Sequence, residues 1–400
     1  MNKINRLPSK NPPCGLKVQD VPQLVSFTFD DNTYSGLPGS GAEGGIKFII
    51  DTLTSRKNPL GSNKACFDGT DIAGTFYFKG NNARENPFED DSLVKKALRE
   101  AYEKGFEIGS HTYSHPHGLE FDEESEPVKR TPLIDKKGWI EELNKSIDVL
   151  TKPWNPTVKE HENEYGPGIQ RKDITGFRTP FIEFNDDTFS ALQELDFEYD
   201  ASLEEGWQNS DDGTNFLWPY TLDNGSEGEK WYSREEFEAE PLVGKHPGLW
   251  ELPNYTIIVP PDEKCEEYGT TTGTRSRVKQ ADDSFDEESG KITGIDWNIW
   301  FEFFMSPEDA LASLKYSFDL RYNGNRCPWP IAFHSDIYSD RYDSTDLDDS
   351  ERAKIKADAV QRRDTFIKFI DYILSKPDVR IVTAQKMLQW LKEPKPLHRN

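Results

Sequence analysis

Val25-Ser26-Phe27-Thr28-Phe29-Asp30-Asp31 is apolar and β-favouring until it stops on two adjacent carboxylates. Val, Phe and Thr suit a buried strand, whereas two charges at its tip need partners. Neighbouring residues on a strand face opposite ways, but at a strand end both side chains can turn toward one mouth. Two carboxylates at one mouth repel, so one of them requires a cation or a proton. The alternative is an ordinary turn, since Asp-Asn-Thr after a strand is common turn chemistry.

Outward from this stretch, strand and helix signals alternate. Ile72 to Phe78, Phe106 to Gly109, Ile174 to Phe177, Phe197 to Asp200, Ile331 to Phe333 (ending on His334) and Val379 to Val382 read as strands. Helices are expected over Ile46 to Leu53, from Asp91 to the stop at Gly105, over Trp139 to Leu150 and over Asp186 to Leu195. Two more follow, one capped by Ser306-Pro307-Glu308-Asp309 and one carrying Phe366, Phe369, Ile370 and Ile373. Leu203 to Gly290 reads mostly as long loops, the kind that are functional in a compact domain. Alternating strands and helices imply parallel β-α units, and the Gly-rich phosphate motifs of nucleotide folds are missing. The expected fold is therefore α/β, and a barrel of parallel β-α units fits best. Barrel enzymes keep their catalytic groups at the C-terminal ends of the strands. Asp30, Asp31, His111, Arg178 and His334 all fall at such ends.

Composition narrows the partners. A formal net charge of −24 argues against nucleic acid or an anionic membrane as partner. No apolar run approaches the ~20 residues that span a bilayer. Ten Trp, 15 Tyr and 24 Phe suit a surface that stacks on sugar rings. Met1 to Pro13 lacks an apolar signal core, so either the chain stays inside the cell or a leader has been removed. Cys14, Cys66, Cys265 and Cys327 allow two disulfides in three connectivities, or free buried thiols. Asn144-Lys145-Ser146, Asn224-Gly225-Ser226 and Asn254-Tyr255-Thr256 fit the glycosylation triplet, a weak signal.

Histidine is scarce, with seven in the chain, yet His111 and His115 stand four apart just after a strand. On a helical turn that spacing would put both imidazoles on one face, as a metal needs. With Asp31 they make three ligands and leave positions open for water, the pattern of a catalytic rather than a structural site. A solvated His-rich turn is the alternative. His117 reads as surface, and His161, His246 and His398 carry no assigned role.

Thr28-Phe29-Asp30-Asp31, His111-Thr112-Tyr113-Ser114-His115-Pro116, Arg178-Thr179-Pro180-Phe181 and the late strand ending on His334 resemble the ordered motifs of the polysaccharide deacetylases, carbohydrate esterase family four. Asp20-Val21-Pro22-Gln23, Arg56-Lys57-Asn58-Pro59, Leu217-Trp218-Pro219-Tyr220, Trp250-Glu251, Asn325-Arg326 and Val382-Thr383 to Gln389-Trp390 are similar to the arthropod-type chitin deacetylases. The resemblance runs from Gly15 to Pro394 and implies an α/β fold, a distorted (β/α) barrel of seven or eight parallel strands with long loop insertions. It implies one domain over 15–394 with an insertion at about 203–290, an extended segment at 1–14 and a tail at 395–400. It implies that Asp31, His111 and His115 hold one divalent ion, Zn2+ in the first instance and Co2+ or Ni2+ as alternatives. It implies Asp30 as general base, with Arg178 pairing to it, and the backbone N–H of Phe181 as oxyanion donor. His334 would be the general acid. The implied reaction removes N-acetyl groups from N-acetylglucosamine units of chitin or its oligomers and releases acetate.

For sugar contacts the resemblance points first to Trp218, then to Tyr220, Trp250 and Tyr113. Trp207, Trp297, Trp300 and Trp329 are further candidates. Many relatives have Tyr where Phe181 stands, and many tune the general acid with an Asp in a Trp-containing motif. Trp250-Glu251-Leu252-Pro253 supplies no such Asp, and Cys327 is an unusual residue before the last catalytic strand. The cysteine complement is smaller than in the arthropod enzymes. Peptidoglycan or acetylated xylan are alternative substrates. A non-catalytic glycan-binding pseudoenzyme and an iron oxygenase with two His and one carboxylate are the other readings. A secreted or periplasmic monomer is expected from the substrate class.

Overall fold

The first strand, Gln23–Asp30, is buried along its whole length because neighbours cover both of its edges. This computed structural model describes residues 6–342 and 349–397, so Met1 and His398 lie outside the described residues. One edge of the first strand pairs in parallel with Trp329–His334. Its N-terminal end also pairs with Val379–Ile381, and its C-terminal end with Thr75–Phe78. The sheet then continues in parallel through Glu107–Ser110, Gly176–Phe177, Tyr199–Asp200 and Trp250–Glu251. Tyr220–Thr221 ends it as an antiparallel edge strand. The nine-stranded sheet curls into a partial barrel, in agreement with the expected distorted α/β barrel.

Register explains why functional groups converge. Asp30 lies opposite His334, Phe78 opposite Ser110 and Ser110 opposite Phe177. The residues at or just past these strand ends, Asp30, Asp31, His111, Arg178 and His334, therefore share one rim. Aromatic packing fixes the first and late strands against the long helix Asp349–Leu374. Phe27 meets the edge of Phe366 at 5.3 Å between ring centroids, and Phe333 meets the same ring at 5.4 Å.

The helices follow their local signals. Asp90 caps the helix Asp91–Glu103, and Ser306 accepts the Asp309 N–H at 3.1 Å to open Pro307–Asn323. The 203–290 region departs from the long-loop reading. It forms the helices Glu227–Phe237, Asp262–Tyr268 and Thr274–Ala281 together with several two-residue strands. Strands that short carry no readable alternation, and buried acids such as Glu205, Glu229 and Glu251 made the stretch look solvated.

Three expected sugar platforms are core residues. Trp218 is fully buried, with the Trp390 ring at 6.4 Å and the Arg6 guanidinium over its face at 5.5 Å. Tyr220 is fully buried and donates its hydroxyl to Glu205 at 2.6 Å, and Trp250 lies inside the sheet. Rings so enclosed cannot stack on a ligand. The cysteines are also corrected: all four are free, with Cys66, Cys265 and Cys327 buried apart from one another, so no disulfide forms. Asn254 is buried as well, which removes its triplet as a glycosylation site. Among the described residues no helix is long and apolar enough to cross a membrane.

Candidate active site

Asp30 and Asp31 separate because the chain turns between them. Asp31 and Asn32 take left-handed φ values of 64° and 66°, a region that Asp and Asn enter more readily than most residues. Asn32 Nδ2 holds the turn by donating to the carbonyls of Phe29 at 2.9 Å and Tyr77 at 3.0 Å. The strand-end turn and the functional mouth are thus one structure.

Asp30 is buried and faces Arg178, which follows the strand Gly176–Phe177. Arg178 Nη1 donates to Asp30 Oδ1 at 3.1 Å and to Thr28 Oγ1 at 2.8 Å, while Nε donates to the Ala201 carbonyl at 2.8 Å. The guanidinium also lies over the Tyr77 ring at 4.8 Å. Burial opposes its charge, but Asp30 outweighs this and the Arg178 pKa is raised.

His111 and His115 meet, though not on a helix. Their loop turns through left-handed conformations at Thr112 (φ 63°) and His115 (φ 62°). Glu142, from the helix Lys136–Thr151, accepts the Ser114 N–H at 2.8 Å and the Tyr113 N–H at 3.2 Å. Thr112 Oγ1 accepts the His115 N–H at 3.1 Å. His111 Nδ1 sits 2.8 Å from the Arg178 carbonyl, which can only accept, so Nδ1 carries the proton and Nε2 offers its lone pair. Asp31 Oδ1 lies 3.7 Å from His111 Nε2 and 3.3 Å from His115 Nε2.

This donor set fits a divalent cation. The three ligand atoms lie within 4.8 Å of one another, and the shielded Asp31 Oδ1 accepts no hydrogen bond from the protein. Burial, aided by His115, lowers the His111 pKa to about 3 and keeps the ring neutral, the form that binds metal. Burial also lowers His115, against the pull of Asp31. For Asp31, burial pushes upward, but His115 and His111 outweigh it and the net shift is downward.

His334 ends the strand Trp329–His334 and is held by a residue the sequence reading missed. Asp296 is fully buried and accepts from His334 Nδ1 at 2.8 Å. A single parallel bridge between Ile295 and Ala332 puts it there. The Trp-containing stretch at Trp250 offers Glu251 instead, which shares a buried setting with Asp200. The Asp296-Trp297 pair was the available signal.

Asp30, Asp31, His111, His115, Phe181 and His334 line one cavity of ≈ 620 Å³. Phe181, at φ 56° in the turn Pro180–Ile182, stands at its edge with its ring 52% exposed. His117 is on the surface and stacks on Phe181, ring centroids 4.0 Å apart. Tyr113 packs beside Gly80 and is not among the cavity-lining residues. Trp297, 44% exposed, and Tyr342 line it instead. Glu204, Thr293 and Asn298, assigned nothing from sequence, complete much of the wall.

Residues 64–199 match the family model described as polysaccharide deacetylase. The chain carries a polysaccharide deacetylase domain. Across its length it is similar to Chitin deacetylase 8 of Bombyx mori, 24% identical over 396 residues, which is 98% of this chain and 77% of that protein. It is also similar to Chitin deacetylase 1 of Bombyx mori, 22% identical over 390 residues, covering 96% of this chain and about half, 53%, of that protein. A solved Mycobacterium smegmatis structure, provisionally described as a polysaccharide deacetylase, shares the fold at a TM-score of 0.50 and 14% identity, covering 99% of this chain and 98% of that one. The matched segment contains His111, His115, Arg178 and Phe181. Asp30, Asp31 and His334 reach the same cavity from outside it.

Proposed function

We propose that the chain is a metal-dependent deacetylase that hydrolyses N-acetyl groups of N-acetylglucosamine units in chitin or chitooligosaccharides. The observation that carries this reading is one cavity holding a clamped carboxylate, a three-ligand set and a clamped imidazole. Asp31, His111 and His115 would hold the ion, with zinc proposed and cobalt or nickel as substitutes. When bound, the ion would acidify water and polarise the acetyl carbonyl.

The remaining steps belong to the chain. Asp30, kept off the ligand set by Arg178, takes the proton of the attacking water. The backbone N–H of Phe181 donates to the oxygen on which negative charge develops. His334 has its Nδ1 committed to Asp296, so Nε2 delivers a proton to the departing nitrogen. Water and acetamide thereby become acetate and a free amine.

Chitin is preferred over peptidoglycan or acetylated xylan because the silkworm relatives are named chitin deacetylases. The presence of both an acid and a base supports turnover over a binding-only pseudoenzyme, and hydrolysis over an iron oxygenase. The substrate class supports work outside the cell, and a monomer is proposed; with four free thiols, no disulfide adds to that inference. Acetate release from chitin oligomers tests the proposal. Release should vanish on chelation and in Asp30→Asn, and release that survives both overturns the mechanism.

A further inference from the structure

Beside the catalytic cavity lies a second pocket of ≈ 250 Å³ that nothing in the reaction uses. Phe181, Ile182 and Glu204 line both, so the two are contiguous. Its far wall comes from the hairpin Leu119–Asp122/Lys129–Pro132 and the helix Glu227–Phe237. Phe121, Phe184, Tyr232 and Phe237 give it flat apolar faces of the kind that sit against sugar rings.

Its charge is unbalanced. Three carboxylates, Glu183, Glu204 and Glu229, line it against one cation, Arg130. Arg130 is already committed, 3.3 Å from Glu229 and within hydrogen-bond distance of Ser233 at 2.6 Å. Glu183 accepts the N–H groups of Gly118 at 2.9 Å and Leu119 at 3.2 Å. Glu204 differs: it stands at the junction of the two cavities, and its shielded Oε1 accepts no hydrogen bond. Burial pushes its pKa up to about 7, with Trp207 and Thr293 opposing and Glu229 and Glu302 adding. A cation arriving at the cavity-facing edge of this carboxyl would relieve that cost.

We propose that this pocket is a neighbouring subsite whose Glu204 carboxylate pairs with the 2-ammonium group of an already deacetylated glucosamine unit in the same glycan chain. The inference rests on the deacetylase reading, and it makes a partly deacetylated polymer the preferred substrate. An acetylated unit next to a free amine would react faster than one flanked by acetylated units, so product amines accumulate in runs.

The test compares acetate release, as kcat/KM, from a fully acetylated chitin oligomer and from oligomers of equal length with one glucosamine beside an acetylated unit. Wild type should favour the mixed oligomer, and high salt should erode that preference as screening grows. Glu204→Gln should reduce the preference roughly tenfold, the scale of one charge-assisted hydrogen bond. A preference unchanged in Glu204→Gln, or absent from wild type, overturns the proposal. So does an equal fall on both substrates. The salt dependence of wild type decides the matter if the variant does not fold. If wild type releases no acetate from either substrate, the deacetylase reading fails separately. Calorimetric titration with glucosamine oligomers then tests the subsite: roughly tenfold weaker binding to Glu204→Gln supports it, and equal binding overturns it.

Discussion

Asp296 holds His334 at two points: Oδ1 lies 2.8 Å from the ring Nδ1, and Oδ2 accepts the His334 backbone N–H at 3.1 Å. The double contact fixes the ring's tautomer and direction together, leaving Nε2 for the cavity. Burial alone would lower the His334 pKa, but the hydrogen bond and charge of Asp296, helped by Asp31 and Asp30, push it up to about 10.

A raised pKa keeps an acid loaded well above neutrality. Asp296→Asn should move the alkaline limb of the kcat profile down by about 1–2 pH units, the worth of a hydrogen bond to a charged group. Linkage gives a second readout. A folded-state pKa above the unfolded value adds stability that is full below about 6.5 and lost as pH rises toward the folded value. The melting-temperature gap between wild type and Asp296→Asn should therefore be widest just below about pH 6.5, narrow through neutrality and close toward pH 10. An alkaline limb that stays in place would remove His334 from the role of acid.

Arg178 and Asp30 form a buried pair, and removing one partner strands the other. Arg178→Met should cost about 3–5 kcal/mol in chemical denaturation and lower kcat by roughly a hundredfold or more. The double variant Asp30→Asn/Arg178→Met should recover part of the stability and none of the activity. If the single variant is as stable as wild type, Arg178 does not clamp Asp30.

The parts of this site that the sequence revealed are those whose geometry is local. Asp30-Asp31 at a strand end and Arg178 after another needed only strand boundaries and the barrel rule. The His111 and His115 pairing was right in outcome, but its cause is a loop folded by Glu142 and two left-handed residues, not a helical face. Asp296 escaped because one backbone bridge, Ile295 to Ala332, brings it to a residue distant in the chain. The resemblance singles out Trp218 by its loop, while the contacts that bury it come from Arg6 and Trp390 near the two ends of the chain. Spacing cannot report such contacts.

The ligand set makes a prediction about stability as well as rate. An ion that binds only the folded chain stabilises it by RT ln(1 + [L]/Kd), about 4 kcal/mol at a thousandfold excess over Kd. Chelation should therefore lower the melting temperature and abolish acetate release, and added Zn2+ should restore both. His111→Ala and His115→Ala should each bind metal less tightly and melt at a temperature that chelator no longer changes. Metal analysis showing undiminished binding in the double variant would place the ion elsewhere.

Trp297 and Trp218 offer a paired contrast between a ring that faces the cavity and one that the core encloses. Trp218→Ala should destabilise the fold by about 3–5 kcal/mol, the range for losing a large buried aromatic. Trp297→Ala should leave stability within about 0.5 kcal/mol, since its ring is 44% exposed. Its effect should appear in KM for chitin oligomers, raised roughly three- to tenfold if the ring stacks on a sugar unit, with kcat less affected. The two variants exchange signatures if Trp218 rather than Trp297 meets the sugar, with Trp218→Ala raising KM at unchanged stability. Melting curves and Michaelis parameters on the same preparations decide which ring meets the substrate.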